Sequence, residues 1–384
     1  MSRSSQMVSH AGVTDHIGSG VQIEEVEVNS PGPGEVLVRI VTCGICRTDV
    51  AFARGELGHS VYPVVLGHEI AGIVDGLGLG VNGFRSGDRV IFLLDAHCGY
   101  CSECVSGHPA LCTTTTGLAE AAGFRRDSGE MVFRHRGGFS QRSLFPAESL
   151  VRLPDAVPFE VGSLVACCVS TGYGAVVRLA GASPEDRVLV IGTGGVGLSA
   201  IMTAKLRGVR QIHAFDHDRG RLIEAQRFGS TAASDSEVDV PRRGFDVVLD
   251  CVGKALTFKL GMAALATGGR LIVVGVPPDG ELFELDAHQL LIHQQKVIGC
   301  MMGDIRPGLD TTAIFDAYES GALPIDSLVT KRLALADLPS EIGANEPRPG
   351  LRTIVEIDPA LSATDGHRRN LKQGRALGRH QSGA

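Results

Sequence analysis

The sequence lacks an early segment with the charged and apolar pattern of a cleaved secretion signal. It also lacks a long apolar run free of glycine, so no membrane span is expected. Basic residues are not in excess. There are 36 Lys and Arg against 43 Asp and Glu, with a net charge of -7 and a pI near 6.0. That balance argues against a nucleic-acid face. Without a secretory context, the ten cysteines read as metal ligands or free thiols in a reducing, cytoplasmic setting. What remains is 384 residues, 43% apolar and 21% charged, the make-up of a globular chain too long for one core. Two domains are expected, and the 50 glycines suit a turn-rich α/β chain. No internal repeat is present.

Around Val188 the chain reads V-L-V-I-G-T-G-G-V-G-L-S. Four apolar residues give a short buried strand, and Gly192, Gly194 and Gly197 then spell G-x-G-x-x-G. The residues from Leu198 to Leu206 carry apolar positions at helical spacing. Strand, glycine turn and helix together form a dinucleotide fingerprint. The glycines make the tight turn, admit a pyrophosphate close to the backbone, and let helix pack on strand. The helix N-terminus offers free N–H groups to the phosphates. A second strand, from Gln211 to Phe215, leads to Asp216, about twenty residues past the glycines. A carboxylate there accepts hydrogen bonds from both ribose hydroxyls and repels a 2′-phosphate, so NAD is the expected cofactor.

In chain order, the first twenty residues are polar and uninformative, and a loose start is expected. Val21–Val28 and Glu35–Thr42 read as strands, separated by a Pro-Gly-Pro-Gly turn. Further strands lie near Ile70 and Val90, with glycines between them, as in a barrel-like β domain. From Pro158, helices and strands alternate. Strands at Val188, Gln211, Phe245, Arg270 and Lys296 predict a doubly wound parallel sheet. A helix near residues 311–319 and a strand near 351–357 follow. The domains expected are 1–168 for the β-rich part, with a lobe at 95–113, 169–301 for the nucleotide part, and 302–358 returning to the first. Residues 359–384, with five Arg or Lys beyond Ala360, read as a disordered basic tail.

Cys98, Cys101, Cys104 and Cys112 stand at C-x2-C-x2-C-x7-C. Four thiolates on one compact lobe can close a tetrahedral shell around structural zinc. A ferredoxin-like cluster shares the first spacings but wants a shorter last gap followed by Pro, where Thr113 stands here. Iron–sulfur and free thiols remain the alternatives. Cys46 and His68 form a looser pair, and Cys167 and Cys168 precede Ser170-Thr-Gly-Tyr-Gly. From spacing alone, each of these also reads as a packed thiol or a satisfied histidine. Two thiolates and an imidazole would leave a fourth zinc position open, as catalytic sites do.

Several motifs occur in one family's order: Gly44-Ile-Cys-Arg-Thr-Asp, Gly67-His-Glu, the four-cysteine lobe, Ser170-Thr-Gly-Tyr-Gly, Gly192-Thr-Gly-Gly-Val-Gly, Val274-Gly-Val-Pro-Pro and Arg352-Thr-Ile. From about Val21 to Ile357 the chain resembles the zinc-dependent medium-chain alcohol dehydrogenases. The resemblance implies a GroES-like β-rich catalytic domain beside a Rossmann domain. It implies Cys46, His68 and Cys167 as catalytic zinc ligands, Cys167 being three residues before the Ser of S-T-G-Y-G. Asp49 then orients the ligating imidazole, Glu69 lies behind the metal, and Thr48 takes the alcohol proton. Arg47 and Arg352 are implied for the pyrophosphate, and Thr171 for the nicotinamide. Gly192, Gly194, Gly195, Val196, Gly197, Asp216, Arg221, Val274 and Val276 complete the cofactor set. Leu94 and Val276 match the substrate pocket, which as an apolar surface should prefer an apolar or aromatic alcohol.

The implied activity is NAD-linked interconversion of an alcohol and its aldehyde or ketone, with two zinc ions per chain. The implied assembly is a homodimer or homotetramer. A formaldehyde dehydrogenase acting on a thiol adduct is the nearest alternative, and a nucleotide-binding relative without catalysis is another. Three departures stand out. Between Gly229 and Phe245 the chain is short and contains Pro241, so the usual crossover helix should be missing or reduced to a turn. The stretch with Gly343, Pro347 and Pro349 is short of a regular helix. Ala51 stands where the family's proton-relay histidine lies.

Overall fold

The computed structural model describes residues 7–57, 61–93, 97–114, 121–134, 136–342 and 350–362. The chain divides into two compact units. The first takes the described residues of 1–96, 116–166 and 329–384, and the second those of 97–115 and 167–328.

The first unit is built of two sheets. In a closed barrel, Met7–Thr14 pairs with Gln22–Val28, which continues through Ala121–Arg125 and Met131–Arg134 to Val64–Val65 and back to the first strand. The second sheet runs Leu150–Arg152, Arg89–Phe92, Glu69–Leu77, Glu35–Gly44, Arg352–Glu356, Val329–Ala334, and Arg142–Pro146 joins Glu35–Gly44. Glu35–Gly44 is nearly all apolar because it is central. It is buried along most of its length and pairs with three strands.

The expected loose start is corrected here. Met7–Thr14 is a strand with seven residue pairs to Gln22–Val28. Ala11 and Val13 are buried in the core, but the buried face also holds Ser9 and the exposed face holds Val8, so the apolar alternation that marks a strand is blurred. The first four residues of the expected disordered tail are also ordered. Residues 359–362 form a helical turn, where Ser362 Oγ donates to Glu356 Oε1 at 2.7 Å. Most of the expected irregular stretch before Arg352, and residues 363–384, lie outside the described residues.

The second unit carries a six-stranded sheet in the order Ala232–Ser234, Gln211–Phe215, Arg187–Ile191, Phe245–Asp250, Leu265–Val273, Lys296–Gly299, with every neighbouring pair parallel. In chain order this is 3-2-1-4-5-6, the Rossmann arrangement. Helices Gly195–Leu206, Arg219–Phe228, Ala255–Ala264 and Ala287–Ile292 serve as crossovers. The third crossover has none. Between Ser234 and Phe245 lies only the three-residue 3-10 turn Glu237–Asp239, with Val240 buried in the sheet's core as its anchor. The shortened crossover is therefore as expected.

The boundaries differ from the sequence-based ones in two places. The cysteine lobe belongs with the nucleotide unit, because Arg178 donates to Gly107 O and His108 Nδ1 meets Asp304 Oδ2 at 2.7 Å. Residues 302–328 stay there too, since Arg178 also pairs with Asp304 and Asp310. The chain re-enters the first unit only at Val329. The helix Phe159–Leu179 has 21 residues and is apolar enough to cross a membrane, but 89% of its most apolar window is buried in protein. It is a core helix, and the division between units falls inside it, after Ala166.

Candidate active site

Helix Arg47–Arg54 begins two residues after the strand Glu35–Gly44 ends. Its third residue, Asp49, is fully buried and ties three segments together. Oδ2 accepts from Cys46 N at 2.9 Å, while Oδ1 accepts from Gly67 N and His68 Nδ1, each at 3.0 Å. With its Nδ1–H given to Asp49, the His68 imidazole has Nε2 as the nitrogen that could bind a metal. Gly67 has a φ of 94°, and a Cβ there would meet Phe139 N at 2.7 Å. Only glycine fits, which accounts for Gly67-His-Glu as a motif.

Next along the strand, Glu69 is fully buried, and its Oε2 accepts from Arg352 NH2. Gly44 leaves the room: a Cβ on it would lie 2.1 Å from Glu69 Oε2. Glu69 Oε1 is buried without a hydrogen-bond partner, which suits a carboxylate that faces a cation. Burial pushes the Glu69 carboxyl up to about 7, against the pull of Arg352 and with the help of Cys46. His68 is raised well above its usual value. Burial alone would lower it, but Asp49 and Cys46 outweigh that. Cys46 Sγ lies 3.6 Å from Thr48 Oγ1.

Cys46, His68, Glu69 and Cys167 each offer one ligand atom, and these atoms lie within 4.8 Å of one another. Cys167 is carried on the helix Phe159–Leu179, one residue past Ala166. Its turn, Val165–Val169, is π-helical, a local widening frequent at functional sites. Two thiols, an imidazole with its second nitrogen committed to a carboxylate, and an orphaned carboxylate oxygen make a donor set that fits zinc. Cys168 is fully buried and outside the group.

The lobe brings Cys98, Cys101, Cys104 and Cys112 together in the same way. Cys98 and Cys104 sulfurs are 3.9 Å apart, as are those of Cys101 and Cys112. Four sulfurs on one zinc, at about 2.3 Å each, would be about 3.8 Å apart, and a disulfide would bring a pair to about 2 Å. The spacing thus fits a single tetrahedral ion. Backbone N–H groups of Cys104 and Thr113 pull the Cys101 thiol down to about 7, while burial pushes Cys104 up to about 12.

In the second unit, Gly192 has a φ of 85°, and a Cβ on Gly197 would lie 1.9 Å from Gly192 O. The first needs glycine for its turn and the last for packing. Around Gly194 a Cβ would meet nothing within 4 Å among the described residues, so there is open space beside the helix N-terminus. That is the cradle a pyrophosphate fits. Gly195 opens the helix and Val196 is half-buried. Asp216 accepts from Thr193 N and Thr193 Oγ1 at 2.8 and 3.0 Å, and from Asp218 N at 3.0 Å. Arg221 pairs with Asp218 at 3.8 Å. Val274 N donates to Asp250 O, and Val276 is 61% exposed. Thr171 is buried, its Oγ1 3.7 Å from Met302 Sδ.

Two expected residues are engaged elsewhere in their own unit. Arg352 holds Glu69, and Arg47 is exposed with its NH2 3.0 Å from Glu56 Oε2. Leu94 lies outside the described residues. Sequence reasoning missed Thr193, whose signal was its place between two fingerprint glycines, and Gly44, whose signal was its place ahead of Cys46.

Two family models match the chain, an alcohol dehydrogenase GroES-like domain over residues 32–155 and a zinc-binding dehydrogenase over 195–315. S-(hydroxymethyl)glutathione dehydrogenase of Komagataella pastoris is 31% identical, covering 86% of this chain and 93% of that one. The chain belongs to the zinc-dependent medium-chain dehydrogenase/reductase family. Among solved structures similar to this family member is benzyl alcohol dehydrogenase from Acinetobacter calcoaceticus (27% identity, 91% of this chain and 99% of that one, TM-score 0.83). Acetophenone reductase from Geotrichum candidum NBRC 4597 is similar too, in complex with NAD (27%, 91% and 97%, TM-score 0.78). A Sinorhizobium meliloti 1021 protein is similar with NADP bound (27%, 92% and 100%, TM-score 0.77). The family and the two metal-fitting groups support zinc and a nicotinamide cofactor for this chain.

Proposed function

We propose that this family member is an NAD-linked alcohol dehydrogenase with two zinc ions per chain, acting on a primary or secondary alcohol with an apolar or aromatic side group. The observation that carries the reading is the buried group of Cys46, His68, Glu69 and Cys167, backed by Asp49. Cys46, His68 and Cys167 would hold the catalytic zinc, and the four lobe cysteines the structural one. Zinc supplies a Lewis acid that lowers the pKa of a bound hydroxyl. The chain's part is to hold that chemistry in place. Asp49 fixes the His68 tautomer, the Glu69–Arg352 pair keeps a carboxylate behind the ligands, and Thr48 accepts the alcohol proton. The fingerprint glycines and Asp216 would seat NAD, which would supply the hydride-accepting chemistry. The apolar preference rests on Leu94 and Val276.

A second reading, a formaldehyde dehydrogenase acting on a thiol adduct, is favoured by the similarity to S-(hydroxymethyl)glutathione dehydrogenase. A panel of aliphatic and aromatic alcohols, beside formaldehyde with and without glutathione, separates the two by NADH formation. Turnover of none of them, with NADH bound, would remove both. We also propose self-association. Strand Lys296–Gly299 is a sheet edge with one neighbour, and Leu291, Ile292 and Val297 nearby in the chain are exposed. Sedimentation showing a monomer would remove that reading. A reducing, cytoplasmic setting is proposed because no disulfide joins the cysteines among the described residues.

A further inference from the structure

Asp216 does not stand free at the end of its strand. Its Oδ2 accepts two hydrogen bonds from one residue, Thr193 N at 2.8 Å and Thr193 Oγ1 at 3.0 Å. Its Oδ1 accepts from Asp218 N at 3.0 Å. Thr193 is fully buried between Gly192 and Gly194. A carboxylate has about four lone-pair sites, so three donors leave room for one more acceptance while fixing where it points.

We propose that Thr193 is a positioning residue for cofactor choice. Its hydroxyl locks the Asp216 carboxylate in the orientation that receives a ribose hydroxyl and bars a 2′-phosphate. The proposal rests on the NAD reading above and deepens it. A carboxylate repels a phosphate only as long as it cannot turn away. Asp216 is half-buried, and an unrestrained side chain at such a position would rotate into solvent at little cost. Here rotation breaks both Thr193 bonds and leaves a buried N–H and a buried O–H unpaired. The same lock presents the carboxylate to the ribose ready-oriented, so less freedom is lost on binding. It also makes the clash with a 2′-phosphate one that cannot relax.

The arginines at the start of the following helix are paired with other carboxylates. Arg219 Nε is 2.5 Å from Asp235 Oδ2, and Arg221 Nε is 3.8 Å from Asp218 Oδ2. Each guanidinium already has a carboxylate of its own. Substituting Asp216 itself would confound two effects, since Thr193 N would lose its acceptor and the glycine turn would loosen. Thr193→Val changes the hydroxyl alone, keeping the backbone N–H and nearly the same shape.

The experiment measures NADH and NADPH dissociation constants from the cofactors' own fluorescence, which the absence of Trp leaves free of indole emission. Wild-type protein should bind NADH more tightly. Thr193→Val should weaken NADH about tenfold, as expected for a lost hydrogen bond to a charged group, and change NADPH less, so that the ratio falls. Thr193→Ser should restore the ratio. If Thr193→Val does not fold by circular dichroism, Thr193→Ala carries the same comparison. A variant ratio equal to that of wild type overturns the proposal, whether both affinities are unchanged or both fall equally, and so does a failure of Thr193→Ser to restore it. Wild-type protein that binds both cofactors alike removes the NAD reading and the proposal with it. A wild-type preference that the variants leave intact removes the proposal alone.

Discussion

Asp49→Asn is the sharpest single perturbation of the metal group. The carboxylate receives Cys46 N–H, Gly67 N–H and His68 Nδ1–H, and all three bonds are made in a fully buried place. An asparagine carbonyl can still accept from Gly67 and His68, but its amide nitrogen then faces Cys46 N–H. One donor is left unpaired, which costs about 1–3 kcal/mol, and two charge-assisted bonds become neutral ones, at about 1 kcal/mol each. The sum is roughly 3–5 kcal/mol, a large share of a typical stability of about 5–15 kcal/mol. The imidazole keeps an acceptor but loses the carboxylate's charge behind it, and disturbing such a metal-ligand partner typically costs about 10- to 100-fold in metal affinity. Urea unfolding followed by circular dichroism, with zinc measured on the same samples, reads both effects. The expected result is an earlier transition and close to one zinc per chain instead of two. Unchanged unfolding together with full zinc content would refute the reasoning that Asp49 holds the site.

Three further outcomes are expected. Cys104→Ser should remove the lobe's ion and lower the melting temperature, because a closed site contributes folding energy; a normal melting curve would contradict this. Arg187 holds the Asp246 carboxyl below its ordinary value through a side-chain hydrogen bond, so the pair stabilises above about pH 4 and the gain is lost as the pH falls further. Asp246→Asn should therefore be less stable near neutrality, by up to about 1 kcal/mol for a partly exposed pair, and should converge with wild type in acid urea titrations; parallel curves would count against it. Ala51→His should lower stability by about 1–3 kcal/mol through overpacking, since Ala51 is only 6% exposed, and a stable variant with faster turnover would contradict that.

Much of the fold was legible because its signals are local. The apolar run before Gly192, the glycines and the helical spacing after them lie in one stretch, and the sheet followed the expected alternation. The short third crossover was legible from Pro241 and from chain length. What escaped was set by partners distant in sequence. Met7–Thr14 is a strand because Gln22–Val28 and Val64–Val65 pair with it, and its buried face mixes Ser9 with Ala11 and Val13. The lobe's place in the second unit depends on Arg178, Asp304 and Asp310, none of which carries a motif. The same holds at the metal group, where spacing left Cys46 and His68 open between packing and ligation. The structure shows Asp49, implied until then only by the resemblance, bonded to both Cys46 N and His68 Nδ1, which favours ligation.

Ala51 shows how a residue can carry two meanings. In the sequence it is a missing imidazole, a loss set against the family's pattern. In the structure it is a packing residue. Helix Arg47–Arg54 has eight residues, and Asp49, Val50, Ala51 and Ala53 are all buried. The Ala51 carbonyl is occupied as well, accepting from Glu56 N at 2.9 Å. A side chain the size of histidine would have to displace what packs against that helix, and the helix carries Asp49 at its first turn. Enlarging position 51 therefore strains the residue that fixes His68. In the proposed reaction, a proton leaving Thr48 is not handed to residue 51, and the path beyond it must run through the cofactor ribose or through water. The small residue at 51 belongs to the support of the metal group.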